Sequence, residues 1–438
     1  MHSGGTKKRL IEFILSQAQE VLSAVIDAAD AAPAGAPPPA PKEIAARRNA
    51  FKAATWLLAI AVGVAEKTTV VSALTAAAPK RAPGGAAGAK KAAARRAVVA
   101  AAAAEDAGEE APGADGDGGG DDTGAGGGDW GWAGDLRSTC VRALSSAAAT
   151  PALRSLWPLG VPEEDFAVLF SATGIRLLGA PSLAKDKEAR ADAVALVAIA
   201  TARFPATITT AAVSVVACAL SADAGSAAAI DLAELWWAGG TTLSATGGTI
   251  TVPRAPAAAS ALLTELGRVK NSASGSLSGP SSADGGASGG RGGEAVRRAA
   301  SLVADISERV PAAIAANMAL ILPHIDAEAP ALRTAIVTTL GSVLSLPAEG
   351  VVCGASGAQS DAGVADAARA AALRTTLFDA LAERGYDSAA SVRAAALKAL
   401  AVLASAAAIP RDALEATVAL AAERVADKGA GAFWKLSL

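Results

Sequence analysis

DAEAPALRTAIVTTLGSVL (Asp326–Leu344) and DSAASVRAAALKALAVLAS (Asp387–Ser405) share one plan. An aspartate sits in a turn, an arginine (Arg333, Arg393) follows six or seven residues later, and an Ala/Leu helix runs on directly from it. A third turn, VADKGAG, places Asp427 40 residues after Asp387; the 61 residues from Asp326 to Asp387 include a Gly/Ser-rich insert at 348–363 that accounts for the excess. The aspartate at a helix start can accept backbone N–H bonds, and an arginine one turn later can bridge to the aspartate of the adjoining unit. Asp326, Arg333, Asp387 and Arg393 are therefore expected to orient a stack, the alternative for the two arginines being that they face DNA.

A period of about 40 to 47 residues is that of HEAT-type repeats, whose two-helix units bury their apolar faces only against their neighbours. The expected fold class is all-α, an α-solenoid of HEAT-like helical hairpins interrupted by disordered low-complexity loops. Composition agrees: 52% of the 438 residues are hydrophobic but only 3% aromatic, so 7 Trp, 7 Phe and 1 Tyr cannot fill an ordinary β-sandwich or α/β interior. Alanine supplies most of the apolar content, and it is both the best helix former and thin enough for helices to approach closely.

Stretches rich in Gly, Pro, Ser and charge divide the chain. They set expected regions at 1–77 (an N-terminal helical hairpin, helices over 9–28 and 43–66), 78–128 (a disordered basic-then-acidic linker), 129–270 (helical), 271–293 (a Ser/Gly-rich disordered loop) and 294–438 (the repeats). Within the linker, Lys80, Arg81, Lys90, Lys91, Arg95 and Arg96 precede Glu105, Asp106, Glu109, Glu110, Asp115, Asp117, Asp121 and Asp122. Such a run reads first as a solvated polyampholyte; its functional alternative is a basic arm on phosphate, and basic pairs also match nuclear import signals. Overall, 39 basic and 42 acidic residues leave a net charge of −3, so nucleic-acid binding would need such a local patch.

In the N-terminal helix, Leu10, Phe13, Ile14, Ala18 and Val21 recur at three- and four-residue intervals, which places them on one apolar face. Interruption by Glu12, Ser16, Gln17, Gln19 and Glu20 argues against a signal peptide, and the most apolar windows fall short of the roughly 20 residues of a membrane span. No membrane partner is expected. Pro162, Glu163 and Glu164 read as a helix start, followed by Phe166, Leu169, Phe170, Thr173, Leu177 and Leu178 on one face. Thr241–Pro253 is the one β-like run, a hairpin turning at Gly247-Gly248.

Chemistry-bearing constellations are missing. Cys140, Cys218 and Cys353 lie far apart, which points to a reducing compartment; His2 and His324 stand alone. Neither a phosphate-cradling glycine loop nor a nucleophile elbow is present, and Glu163, Glu164 and Asp165 lack a partner base. The expectation is a protein that is not an enzyme, without catalytic, cofactor or metal sites.

Several strings resemble the condensin subunit 1 family, the D-type HEAT-repeat subunits of the chromosome-condensing complex. They are Asp129-Trp130-Gly131-Trp132, Leu156-Trp157 with Val161-Pro162-Glu163-Glu164, and Leu183-Ala184-Lys185-Asp186-Lys187. Further on come VADISERVP (Val303–Pro311), Leu332-Arg333-Thr334-Ala335, LFDALAERGYDSAASVRAAAL (Leu377–Leu397) and AAERVADK (Ala421–Lys428). In order and rough spacing these match the family's N-terminal region and first central repeats. The chain departs from the family in its long inserts, its alanine content and its end at GAFWKLSL (Gly431–Leu438), where a member's third repeat helix would continue; a truncated array is expected. The resemblance implies a scaffold that binds the kleisin subunit, approaches the SMC ATPase heterodimer beside a second HEAT subunit, and helps engage DNA and chromatin in mitotic chromosome condensation. ATP hydrolysis would belong to the SMC partners, and localisation to the nucleus and chromosome, in part the cytoplasm. Alternatives are the D-type subunit of the second condensin complex, and a general HEAT adaptor of trafficking or nuclear transport.

Overall fold

The computed structural model describes residues 3–30, 40–65, 134–151, 153, 156, 157, 164–180, 183, 186–275, 288–347 and 363–425. Among the described residues the chain is all-α apart from one hairpin. In order, the helices are α1 (Ser3–Asp30), α2 (Pro41–Ala65), α3 (Gly134–Ala149), α4 (Glu164–Leu178), α5 (Lys187–Arg203), α6 (Ile208–Ser221) and α7 (Asp223–Ala238). After strands β1 (Gly240–Leu243) and β2 (Thr249–Val252) come α8 (Pro256–Gly275), α9 (Ser288–Arg309), the short α10 (Pro311–Ala316) and α11 (Met318–Ile321), then α12 (Pro330–Leu344), α13 (Gly363–Glu383), α14 (Ala390–Ser405) and α15 (Leu414–Val425).

Packing follows the chain. α1 lies on α2 and α3, α5 on α3, α4 and α7, α8 on α6, α7 and α9, α9 on α12, and α12 on α13 and α14. Principal contacts thus join elements close in sequence, which is how a solenoid buries its core. That core is nonetheless continuous, from Leu15 in α1 to Leu420 in α15.

Small residues set the spacing between helices. A Cβ on Gly341 of α12 would stand 2.8 Å from Ala399 Cβ of α14, and one on Gly174 of α4 would stand 2.5 Å from a Val197 methyl of α5. Contacts that close leave no room for another methyl group. Helix ends are fixed locally: Asp186 caps α5 by accepting the Ala189 N–H at 2.9 Å, while Glu164 and Asp165 lie in the first turn of α4, at the positive end of its dipole. The face Phe166, Leu169, Phe170, Thr173, Leu177 and Leu178 is buried throughout.

The hairpin pairs Gly240 with Val252 through Leu243 with Thr249, antiparallel, and turns at Gly247, whose φ of 81° lies in the left-handed region that glycine enters without strain. Val252 is buried against α3 and α5, and Ala255 N–H donates to Trp236 O at 2.7 Å, tying the hairpin to the end of α7.

Two expectations need correction. In α1 the buried stripe is Leu15, Ala18, Leu22 and Val25, whereas Phe13 (61% exposed), Ile14 and Val21 face outward. Two apolar stripes of helical spacing lie side by side on this helix, and the one through Leu15, Leu22 and Val25 is the one buried where α1 packs on α2 and α3. The loop expected over 271–293 is shorter at both ends, because α8 runs on to Gly275 and α9 starts at Ser288. Helix elongation from a packed segment adds one hydrogen bond per residue and carries into weak helix formers. The remainder of that loop, the linker 78–128, Asp129–Trp132, Asp427 and Trp434 lie outside the described residues.

Candidate functional site

The repeat turns bring the expected polar residues together unequally. Arg333, near the start of α12, places Nε 2.9 Å from Asp387 Oδ2 and Nη2 2.8 Å from Asp387 Oδ1, a bidentate pair across two successive repeats. Its Nη1 donates to Ala327 O at 2.7 Å and Glu328 O at 3.0 Å, so every guanidinium nitrogen is engaged within the stack. Arg393 repeats the second half of this arrangement, with Nη1 donating to Asp387 O at 2.8 Å and Ser388 O at 3.0 Å.

Asp387 also accepts the Ala389 N–H at 2.8 Å. Burial works to raise its pKa, but the hydrogen bonds from Arg333 and Ala389 and the charges of Arg333 and Arg384 outweigh it, leaving the carboxyl below the usual aspartate value. The Arg333 guanidinium is raised, first by its hydrogen bond to Asp387. Asp326, at the equivalent turn, has a different role: its side chain is 74% exposed and meets Arg384 Nη2 at 3.0 Å. Arg384, not anticipated from the sequence, reaches Asp326, Glu383 and Asp387 together. Its signal was present in ERGYD, immediately before Asp387, as a cation beside a turn aspartate.

The N-terminal half holds its own polar lattice. Arg137 of α3 pairs with Asp186, the residue that caps α5, and Arg142 bridges Asp192 Oδ1 (3.0 Å) and Glu188 Oε1 (2.7 Å) on α5. Burial raises the pKa of Asp192 despite the opposing hydrogen bond and charge of Arg142. Trp157 stacks on Phe166, with ring centroids 5.2 Å apart, and lies edge-on to Phe51; Phe166 meets Phe170, which stacks on Phe204. Arg48 covers the Trp157 ring at 5.3 Å and donates from Nε and Nη2 to Leu156 O. Among the strings that carry the resemblance, Leu156-Trp157 and Asp186 therefore have definite packing and capping roles.

Burial pushes the Cys140 thiol up to about 12 against a hydrogen bond from Gln19, so it stays protonated at neutral pH. Among the described residues no three His, Cys, Asp or Glu side chains gather as metal ligands, and no single helix is long and apolar enough to cross a membrane. Lys80, Arg81, Lys90, Lys91, Arg95 and Arg96 lie outside the described residues. What the turns build is a stacking apparatus, with arginines also closing helix ends: Arg374 donates to Leu344 O and Leu346 O beyond α12, and Arg298 to Leu220 O of α6.

No family model matches the chain. Over 129 residues it is 31% identical to condensin complex subunit 1 of Homo sapiens and 32% identical to condensin complex subunit 1 of Mus musculus. The match takes in 30% of this chain but spans only 8% of either relative's length. What the chain shares with condensin complex subunit 1 is thus one stretch of 129 residues, set in an all-α array of stacked helices.

Proposed function

We propose that this chain is a non-catalytic scaffold of a condensin-type complex, holding a kleisin subunit and the SMC ATPase heterodimer beside a second HEAT subunit, and acting on chromatin in the nucleus during mitosis. The 129-residue similarity to condensin complex subunit 1 carries this reading. The architecture supports it, because stacked helix pairs offer a long surface for an extended partner and the polar residues of the repeat turns serve packing. Affinity purification of the tagged full chain from mitotic cells, with its partners identified by mass spectrometry, is the test. Recovery of kleisin and SMC subunits is expected, the kleisin naming which condensin is involved; a transport or trafficking cargo in their place would reject the proposal.

DNA contact is assigned to the basic stretch Lys80, Arg81, Lys90, Lys91, Arg95 and Arg96. Each phosphate contact removed should lower the slope of log affinity against log salt by about 0.9 on duplex DNA. Neutralising all six should flatten that slope, and an unchanged slope would place DNA binding elsewhere.

A further inference from the structure

Among the described residues, the first two helices carry an apolar face that the rest of the stack leaves open. Phe13, Ile14 and Val21 of α1 and Leu57 and Ile60 of α2 are between 39% and 61% exposed. Contacts fix the opposite side of each helix: Gln19 Nε2 reaches Cys140 Sγ of α3 at 3.7 Å, and the Phe51 ring meets that of Phe166 in α4 at 5.9 Å. At about 100° per residue, the three α1 side chains stand roughly 120° to 160° round from Gln19, and the two on α2 roughly 120° to 180° round from Phe51. Both stripes therefore point away from α3 and α4, on the outside of one end of the described stack.

Charge is absent from this face. α2 has no charged residue from Ala53 to Ala65, and the α1 stripe runs through Gln17 and Ala24 besides its three large side chains. A helix that is apolar all round belongs in an interior, and a unit at the end of a stack stays soluble by turning a polar face outward. This pair does neither, so its face calls for an apolar, uncharged cover. Nucleic acid requires facing cations. An anionic bilayer would repel Glu12, Glu20 and Asp27, the exposed charges among the described side chains of α1. A second copy carries the complement by construction, because two-fold pairing sets the same patch on both sides. The area suffices as well. The 25 residues of α2 extend about 37 Å and two helices side by side span about 20 Å. That is about 750 Å² per copy, against the roughly 800 Å² per partner of a stable interface.

We propose that α1 and α2 pair with the same two helices of a second copy, outer face to outer face, in a symmetric four-helix interface. The dimer rests on this face alone and stands apart from the condensin assignment, so purification without kleisin or SMC would leave it untouched.

Sedimentation equilibrium of the purified full chain over a micromolar concentration range tests it. The mass should rise from one chain to two and no further. Phe13→Lys with Leu57→Lys, both at exposed positions, should keep the helical circular dichroism and weaken dimerisation by about tenfold or more. Val418→Lys, at an equally exposed apolar position on α15, should leave the dimer unchanged. A natural chain that stays monomeric, a dimer unaffected in the folded double variant, or a dimer lost in Val418→Lys would each overturn the proposal. So would growth beyond two chains, which marks head-to-tail contact. Flotation with phosphatidylserine vesicles of the natural chain but not of the double variant would give the face to a membrane and overturn it too.

Discussion

The two ends of this stack solve one problem with different materials. Between α2 and α5, helices are joined by rings, as Phe51, Trp157, Phe166, Phe170 and Phe204 touch in succession. Neither α12 nor α14 carries an aromatic residue; their buried side chains are aliphatic and small, Gly341 meets Ala399, and an ion pair between Arg333 and Asp387 fixes the register. Rings contribute apolar area without demanding exact geometry, whereas a bidentate pair contributes little net energy but tolerates only one alignment. An alanine-rich chain with few aromatics can thus concentrate them where helices come from distant sequence, and rely on charge geometry where neighbouring units repeat.

Breaking the aromatic side should have the largest effect. Phe166→Ala opens a cavity at the centre of the ring cluster and should cost about 4 kcal/mol of unfolding free energy, read from urea denaturation. Asp387→Ala should come next, at about 3 kcal/mol, because Arg333, 12% exposed, is left charged and unpaired. If the pair chiefly sets alignment, Arg333→Met with Asp387→Leu should recover most of that loss. The pH dependence sharpens the point. Since the folded-state pKa of Asp387 is lowered, its stabilisation is complete above the ordinary aspartate value of 3.8 and is lost as pH falls through the folded value. The stability gap between the natural chain and Asp387→Asn should therefore be flat at neutral pH and close in acid.

Overpacking should have an intermediate effect. Gly341→Val drives methyl groups into Ala399 and should cost about 2 kcal/mol, while wedging α12 from α14. At the small end, Arg47→Ala removes an exposed pair with Glu43 within α2 and should change stability by less than about 0.5 kcal/mol. A loss as large as that of Asp387→Ala would show that surface pairs also hold the array.

Much of this architecture was legible in the sequence, for reasons that differ by element. The α4 face from Phe166 to Leu178 could be read because only one apolar stripe exists there, and the Gly247-Gly248 turn because few residues besides glycine tolerate its backbone. Which of two stripes α1 would bury was not legible, since periodicity marks a helix as amphipathic without saying which side its partner approaches. The paired plan of Asp326 and Asp387 was visible, but their unequal burial depends on what the adjoining repeat brings, Arg333 in one case and Arg384 in the other. The contacts from Arg48 to Leu156 O and from Phe170 to Phe204 join residues whose meeting no local pattern encodes.

Helices whose principal neighbours are close along the chain also leave the connections free to vary. The direct packing of α8 on α9, and of α12 on α13, spans joins whose residues differ widely in composition from the helices they link. Doubling the length of a flexible join raises its closure entropy by only about 0.6 kcal/mol. Insertions and deletions can therefore accumulate at these joins over evolutionary time at almost constant stability, and lineages can diverge greatly in overall length while keeping the helix-to-helix surfaces under selection.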